Sequence, residues 1–321
     1  MDQLKEKIVL ITGGAGFIGS HIAETLLKNG VKGIKVLDNL STGSLDNINY
    51  LTSQYSNIEF IKGDICDYNT CYQTIKGVDV VCHQAALGSV PRSINDPLTS
   101  HNNNVNGFLN MLHASKENNV KRFIYASSSS VYGNDNSDIK IENIMGEVLS
   151  PYALTKYIDE LYASLYTRIF GMECIGLRYF NVFGPRQNPN GPYAAVIPKF
   201  ISSLLDKKKV TINGDGTISR DFTYVDNVVY GNILALSTEN QLAFGQVFNM
   251  GVGKSITLNH LYSTMVTLLE SDLKPIYGPP RKGDIPYSLS SYEKAHSLLG
   301  FNPKTSFEKG LEITIKYSKK S

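Results

Sequence analysis

The chain has 321 residues, enough for one large domain or for two lobes around a cleft. Hydrophobic residues make up 42% and charged residues 19%, which gives ample apolar surface for a packed core and excludes long disorder. A formal net charge of +2 does not point to a nucleic-acid or membrane-surface protein.

The first strand-like run, Lys7-Ile8-Val9-Leu10-Ile11, starts almost at once and leads into Thr12-Gly13-Gly14-Ala15-Gly16-Phe17-Ile18-Gly19. Cleavage of a leader would destroy that turn, so the chain is expected to stay in the cytoplasm. No apolar run approaches the roughly 20 residues that span a bilayer. Glycines 13, 16 and 19 form G-x-x-G-x-x-G. Glycine permits the tight turn and close backbone approach, and the helix that follows favours a pyrophosphate at its N-terminus. Ile18, Ile22 and Leu26 repeat every four residues along that helix, and Gly30 stops it.

Further strands are expected at 33–38, 57–62, 78–83, 121–127 and 172–179, after the first at 7–12. Helices lie between them, including 104–116 and 151–170. The latter has Pro151 in its first turn and Gly171 behind it. This alternation predicts an α/β fold, a Rossmann-type doubly wound parallel sheet. After Asn181 glycine and proline become frequent up to Gly191, and shorter elements follow. A boundary near residue 180 is expected, with a dinucleotide domain at 1–180 and a smaller C-terminal α/β substrate lobe at 181–321. A return of the chain to the first lobe near 220–250 is left open. The run Lys207-Lys208-Lys209 reads as a solvated helix end. Cys66, Cys71, Cys82 and Cys174 form no C-x-x-C pair and no histidines cluster, so no metal site is expected and a reducing compartment fits.

Asp38 stands nineteen residues past Gly19, at the end of the second strand. A carboxylate there accepts hydrogen bonds from an adenosine ribose and repels a 2′-phosphate, so NAD is favoured over NADP. Asp64, at the end of the third strand, is a candidate for the adenine edge. Tyr152 and Lys156 share one face of a helix. A lysine ammonium beside a phenol favours the phenolate, which can then act as a general base. Ser127-Ser128-Ser129-Ser130-Val131-Tyr132-Gly133 follows the fifth strand, where an open parallel sheet binds its ligands. A hydroxyl there can meet a reacting alcohol or ketone.

With these motifs together, and with His83-Gln84-Ala85-Ala86, Arg178-Tyr179-Phe180-Asn181 and Arg220–Asp226, the chain resembles the extended short-chain dehydrogenase/reductases over nearly its whole length. Within that family it looks most like the bacterial UDP-N-acetylglucosamine 4-epimerases, through Ala86–Ser93 and the stretch 191–198. The resemblance implies bound NAD, held by Gly13, Gly16, Phe17, Ile18, Asp38, Asn39, Ser41, Thr42, Gly43, Asp64, Ile65, Gln84, Ala85, Ala86, Asn103, Tyr152, Lys156 and Tyr179. It implies Tyr152 as the base at the sugar 4-hydroxyl, with Ser128 on the same oxygen and Lys156 on the nicotinamide ribose. The C4 hydride passes to NAD and returns to the other face after the 4-keto sugar swings round.

For the UDP-sugar the resemblance implies Gly88, Ser89, Ser128, Ser129, Tyr152, Asn181, Gln187, Ala195, Val196, Arg220, Arg281, Asp284 and Ser288. Arg220 and Arg281 would pair with the diphosphate, and Asp284 with the uridine ribose. Small Ser288 would admit an N-acetyl group. It also implies a homodimer, built on the helices near 104–116 and 151–170. A nucleotide-sugar 4,6-dehydratase needs Asp-Glu after the active-site hydroxyl residue, and a decarboxylase needs a Glu. Ser129-Ser130 supplies neither. UDP-glucose/UDP-galactose epimerisation is the nearest alternative. A non-catalytic NAD sensor would be expected to lack Tyr152 or Lys156.

Overall fold

The computed structural model describes residues 2–190, 193–280 and 288–320. Its first half alternates strand and helix: β1 (Ile8–Thr12), α1 (Phe17–Lys28), β2 (Gly33–Asp38), α2 (Leu45–Gln54), β3 (Ile58–Lys62), α3 (Tyr68–Ile75) and β4 (Val80–His83). Two short helices, α4 (Val90–Asn95) and α5 (Pro97–His101), come next. A π-helical stretch, Asn102–Asn106, then runs into α6 (Gly107–Glu117), so the helix expected at 104–116 opens on a wider turn. β5 (Arg122–Ser128), α7 (Pro151–Phe170) and β6 (Glu173–Tyr179) complete this half.

The boundaries of α7 follow from its ends. The Ser150 hydroxyl accepts the Ala153 amide, Pro151 fills the first turn, and Gly171 closes the helix at φ 67°. Serine satisfies an orphan donor, proline loses no needed one, and glycine adopts the left-handed conformation without strain.

Beyond 180 the elements shorten: β7 (Val182–Phe183), α8 (Val196–Leu205), β8 (Thr211–Asn213), β9 (Ser219–Arg220) and β10 (Thr223–Tyr224). A longer helix, α9 (Val225–Ser237), leads to β11 (Gln246–Met250). β12 (Ile256–Thr257), α10 (Leu258–Leu269), β13 (Ile276–Gly278), α11 (Glu293–Leu299) and α12 (Phe307–Ser318) follow. The main sheet has seven strands in the order β11-β6-β5-β4-β1-β2-β3, all paired in parallel. β11 pairs with β6 from Gln246 against Ile175 to Met250 against Tyr179. The chain therefore returns to the sheet after leaving it.

The strand interiors read Val, Ile, Leu because both faces are covered. Val9, Leu10, Ile11, Val36, Val81 and Ile124 are fully buried. The strand order reverses between β1 and β4. At such a switch point the two flanking loops splay apart beyond the carboxyl ends of the strands and leave a crevice for a ligand.

Candidate active site

The crevice is built from the ends of β1 and β4. Thr12 Oγ1 lies 2.9 Å from His83 Nδ1 and accepts the Ala85 amide at 3.2 Å. These bonds draw the loop after β4 against the glycine turn. A Cβ on Gly13 would fall 2.7 Å from the Ala85 nitrogen, and one on Gly19 would collide with the Gly13 carbonyl oxygen. Gly13 also sits at φ +68°. The residue before α1, Gly16, caps the helix with no side chain, so its first amides are free of side-chain partners. A cradle this tight, with amide donors at its end, fits the pyrophosphate of a dinucleotide.

A cleft of about 340 Å³ runs from this turn across the carboxyl ends of the strands. Gly13, Gly16, Phe17, Ile18, Asp38, Asn39, Ser41 and Thr42 line one end. Ile65, Gln84, Ala85, Ala86, Gly88, Asn103 and Tyr179 line its middle, and Tyr152 and Lys156 its far wall. Asp38 Oδ2 accepts the Ala15 amide at 3.0 Å and Oδ1 the Leu40 amide at 2.8 Å. Burial raises its pKa, and those two amides pull the other way. Asp64 is off the cleft wall but fixes a residue on it, since Asn39 Nδ2 donates to its Oδ2 at 3.0 Å. Gly43 packs on Ala15, where a Cβ would come within 2.9 Å. Tyr179 donates to Gln84 Oε1 at 2.9 Å.

α7 carries the reactive pair. The Tyr152 amide donates to Ser93 Oγ at 3.0 Å, which ties the start of α7 to α4. Ser89 lies just before α4 at φ 99° and its hydroxyl accepts the Arg92 amide. Ser128 ends β5; its Oγ accepts the Ser130 amide at 3.2 Å and the Ser130 hydroxyl at 2.9 Å. Ser128 and Ser129 are not on the cleft wall that holds Tyr152.

The helix is strutted to the sheet by a buried ion pair with no counterpart in the sequence reading. Arg178 donates from Nε and Nη2 to Glu160 at 2.9 and 2.8 Å, and Ser127 Oγ donates to the same carboxylate at 2.5 Å. Breaking one partner of such a pair leaves an uncompensated buried charge, so the strut fixes α7 against β5 and β6. One residue earlier, Asp159 Oδ2 lies 3.1 Å from Lys156 Nζ.

A second cavity, about 500 Å³, opens among the elements beyond 180. Asn181, Val196 and Arg220 line it together with Lys199 and Lys209. Ala195 flanks it at the start of α8. Lys207 and Lys208 are exposed, and Lys208 pairs with Asp206 at 2.9 Å. Lys209 is exposed as well, as expected of a solvated helix end, and it also borders this cavity. Its position depends on the fold of 210–220 around it, which the local charge run does not reveal. Gln187 donates to the Val182 carbonyl at 3.1 Å. The Ser288 carbonyl accepts the Asp221 amide at 2.8 Å. Asp221 is in turn held by the Ser290 hydroxyl at 2.6 Å. Arg281 and Asp284 lie outside the described residues. Among the described residues no helix is long and apolar enough to cross a membrane.

Fold and cleft define a dinucleotide-dependent enzyme of the doubly wound α/β class. The chain belongs to the NAD dependent epimerase/dehydratase family, whose model matches residues 9–251. It is 37% identical over 314 residues to a putative UDP-glucose 4-epimerase of Methanocaldococcus jannaschii, covering 97% of this chain and 98% of that one. Among solved structures it is similar to the UDP-N-acetylglucosamine 4-epimerase of Methanobrevibacter ruminantium M1, solved in complex with UDP-N-acetylmuramic acid. The two are 40% identical with a TM-score of 0.92, covering 98% of this chain and 99% of that one. The UDP-glucose 4-epimerase of Thermus thermophilus, solved in complex with NAD, is 32% identical with a TM-score of 0.87, covering 97% of this chain and 99% of that one. NAD is the cofactor of the family, and the glycine cradle with Asp38 beside it accords with that.

Proposed function

We propose that the chain interconverts UDP-N-acetylglucosamine and UDP-N-acetylgalactosamine by epimerisation at C4. The observation that carries this reading is the placement of Tyr152 and Lys156 on the wall of the same cleft as the glycine turn. Tyr152 takes the proton from the sugar 4-hydroxyl and later returns it. Lys156, on the same cleft wall, holds the nicotinamide ribose. NAD, when bound, supplies a reversible hydride acceptor. The role of Ser128 on the reacting oxygen rests on the resemblance alone, since Ser128 stands off the cleft wall that holds Tyr152. Arg220, Lys199 and Lys209 gather positive charge at the second cavity, which suits a diphosphate. The resemblance assigns Arg281 and Asp284 to the same nucleotide.

Residues 1–180 with the returning segment 225–250 form the cofactor half in this reading, and the remainder the substrate half. The UDP-glucose 4-epimerase names among the relatives favour a second reading, UDP-glucose and UDP-galactose as the pair. Proton NMR of the enzyme with each UDP-sugar separates the two. Turnover of the N-acetylated pair ahead of the plain pair supports the first, and the reverse order supports the second.

A homodimer through α7 and its neighbours is part of the proposal. Leu161, Leu165 and Ile169 form an exposed stripe at four-residue spacing on α7, with Leu154 one turn before Ile158 and Leu98 on adjacent α5. A cytoplasmic location accords with the four free thiols.

A further inference from the structure

Tyr152, Lys156 and Asp159 occupy positions i, i+4 and i+7 of α7, one stripe of the helix. The Lys156–Asp159 pair is out of water, with side chains 2% and 0% exposed. Asp159 Oδ2 takes the ammonium, while Oδ1 meets no hydrogen-bond donor among the described residues. A buried carboxylate with an unsatisfied oxygen is costly to keep in a fold. Lys156 lines the cleft together with Tyr152, and Asp159, one turn further along α7, is not among the lining residues. Other titratable groups surround it. Glu160 on α7 is committed to Arg178 and Ser127. Tyr125 on β5 and His83 on β4 are buried, the Asp159 charge acting on Tyr125 and the Lys156 charge on His83. Among the described residues Lys156 is thus the one cation that faces Asp159.

We propose that Asp159 is a positioning residue: it holds the Lys156 ammonium in line with Tyr152, and its own charge opposes the charge that forms on the Tyr152 oxygen. The proposal rests on the reading of Tyr152 as the base. Burial pushes the Asp159 carboxyl up to about 7, against the pull of Lys156. Asp159 is therefore charged on the alkaline side of the working range and neutral on the acid side. As pH falls, its neutralisation makes the phenolate easier to keep, which spreads the acidic limb of the rate profile. Seven helical residues rise about 10 Å. One unit charge at that distance, in an effective dielectric of about 20, moves a neighbouring ionisation by up to about one pH unit.

The test compares kcat and KM across pH for the NAD-loaded enzyme and for Asp159→Asn, with rates normalised to bound NAD. The parent limb should be shallower than a single ionisation. In Asp159→Asn it should steepen to a single ionisation and move to lower pH by up to about one unit. The plateau kcat should fall about tenfold, through loss of one charged hydrogen bond, with KM unchanged. Asp159→Glu should restore the parent limb. The phenolate absorbance of Tyr152, taken as parent minus Tyr152→Phe, should move the same way with no substrate present. If Asp159→Asn does not fold, Asp159→Ser removes the same charge and takes its place. Superimposable profiles for the parent and the uncharged variant overturn the proposal and leave the base reading intact. Parental activity in Tyr152→Phe overturns the base reading and this proposal with it.

Discussion

The α-carbon of Gly13 faces the backbone of Ala85 so closely that a Cβ there would stand 2.7 Å from the Ala85 nitrogen and 2.8 Å from its α-carbon. Both neighbours are main chain, so neither can swing aside. Gly13 also holds φ +68°, where an L side chain adds roughly 1–2 kcal/mol of its own. Gly13→Ala is therefore expected to force the turn away from the loop after β4 and to purify with little or no NAD. The nucleotide released on denaturation measures this directly. A variant that retains the parental complement of NAD would remove the glycine turn from the cofactor site.

Tyr152→Phe keeps the ring on the cleft wall and removes its oxygen. Losing a general base costs about 10²- to 10⁴-fold in rate. The expected outcome is a loss of that size in kcat with NAD content unchanged. Full activity would end the mechanism proposed for Tyr152.

Asp38 borders the cleft with both oxygens anchored to backbone amides, so its charge is fixed in place. A 2′-phosphate brought beside it would meet that charge. The parent should release NAD and not NADP when denatured. Asp38→Asn should narrow the preference about ten- to a hundredfold, the range of one hydrogen bond to a charged group. An unchanged ratio of affinities would show that discrimination lies elsewhere.

The strands and α7 were legible because each carries its own signal. Short β-branched runs mark strands buried on both faces, and Ser150-Pro151 with Gly171 mark helix ends. β11 was not read as a strand of the main sheet. Gln246-Val247-Phe248-Asn249-Met250 is short, ends at the sheet edge, and owes its place to pairing with β6 some seventy residues earlier in the chain. Of the second cavity's lining, Asn181, Val196 and Arg220 were expected at the substrate site, whereas Lys199 and Lys209 join them only through the fold. Asp159 is visible in the sequence as an i+3 partner of Lys156, but nothing local says that both are buried.

His83 is 1% exposed, stacked on Phe123 with Phe108 at its edge, and its Nε2 meets no partner among the described residues. Burial lowers its pKa to about 3, and the nearby Lys156 charge acts in the same direction. The unfolded chain titrates near the ordinary histidine value of about 6.5. Between about 6.5 and about 3 the unfolded state therefore binds the proton that the folded state refuses. The contribution to stability is full above about pH 6.5 and is lost as pH falls. From about pH 6.5 to about pH 5 this one group should remove up to about 2 kcal/mol, at about 1.4 kcal/mol per pH unit. Urea unfolding across that range, for the parent and His83→Gln, checks it. The variant should show a shallower decline, and parallel declines would assign the acid sensitivity to other groups.

Within the proposed function, Ser288 supports the choice of N-acetylated sugars. In the epimerases that the chain resembles, a bulky tyrosine at the corresponding place goes with plain hexoses and a small residue with N-acetylated ones. Ser288 is half-buried and its backbone is pinned, its carbonyl accepting the Asp221 amide at 2.8 Å. Asp221 is itself locked by the Ser290 amide and hydroxyl and by the amides of Val252 and Gly253. A side chain grown from so fixed a backbone cannot retreat by moving the main chain. Ser288→Tyr would therefore place a ring wherever the serine hydroxyl now points. An acetamido group has three more heavy atoms than the hydroxyl it replaces, and overlap with a ring is a steric exclusion, not a matter of tenths of a kcal/mol. The expected outcome is loss of turnover with UDP-N-acetylglucosamine, with UDP-glucose turnover within about threefold of the parent, as measured by proton NMR on both sugars. A variant that epimerises UDP-N-acetylglucosamine at the parent rate would show that Ser288 does not gate the sugar. A variant that loses both substrates alike, while still folded and loaded with NAD, would place Ser288 in nucleotide binding, away from the C2 substituent.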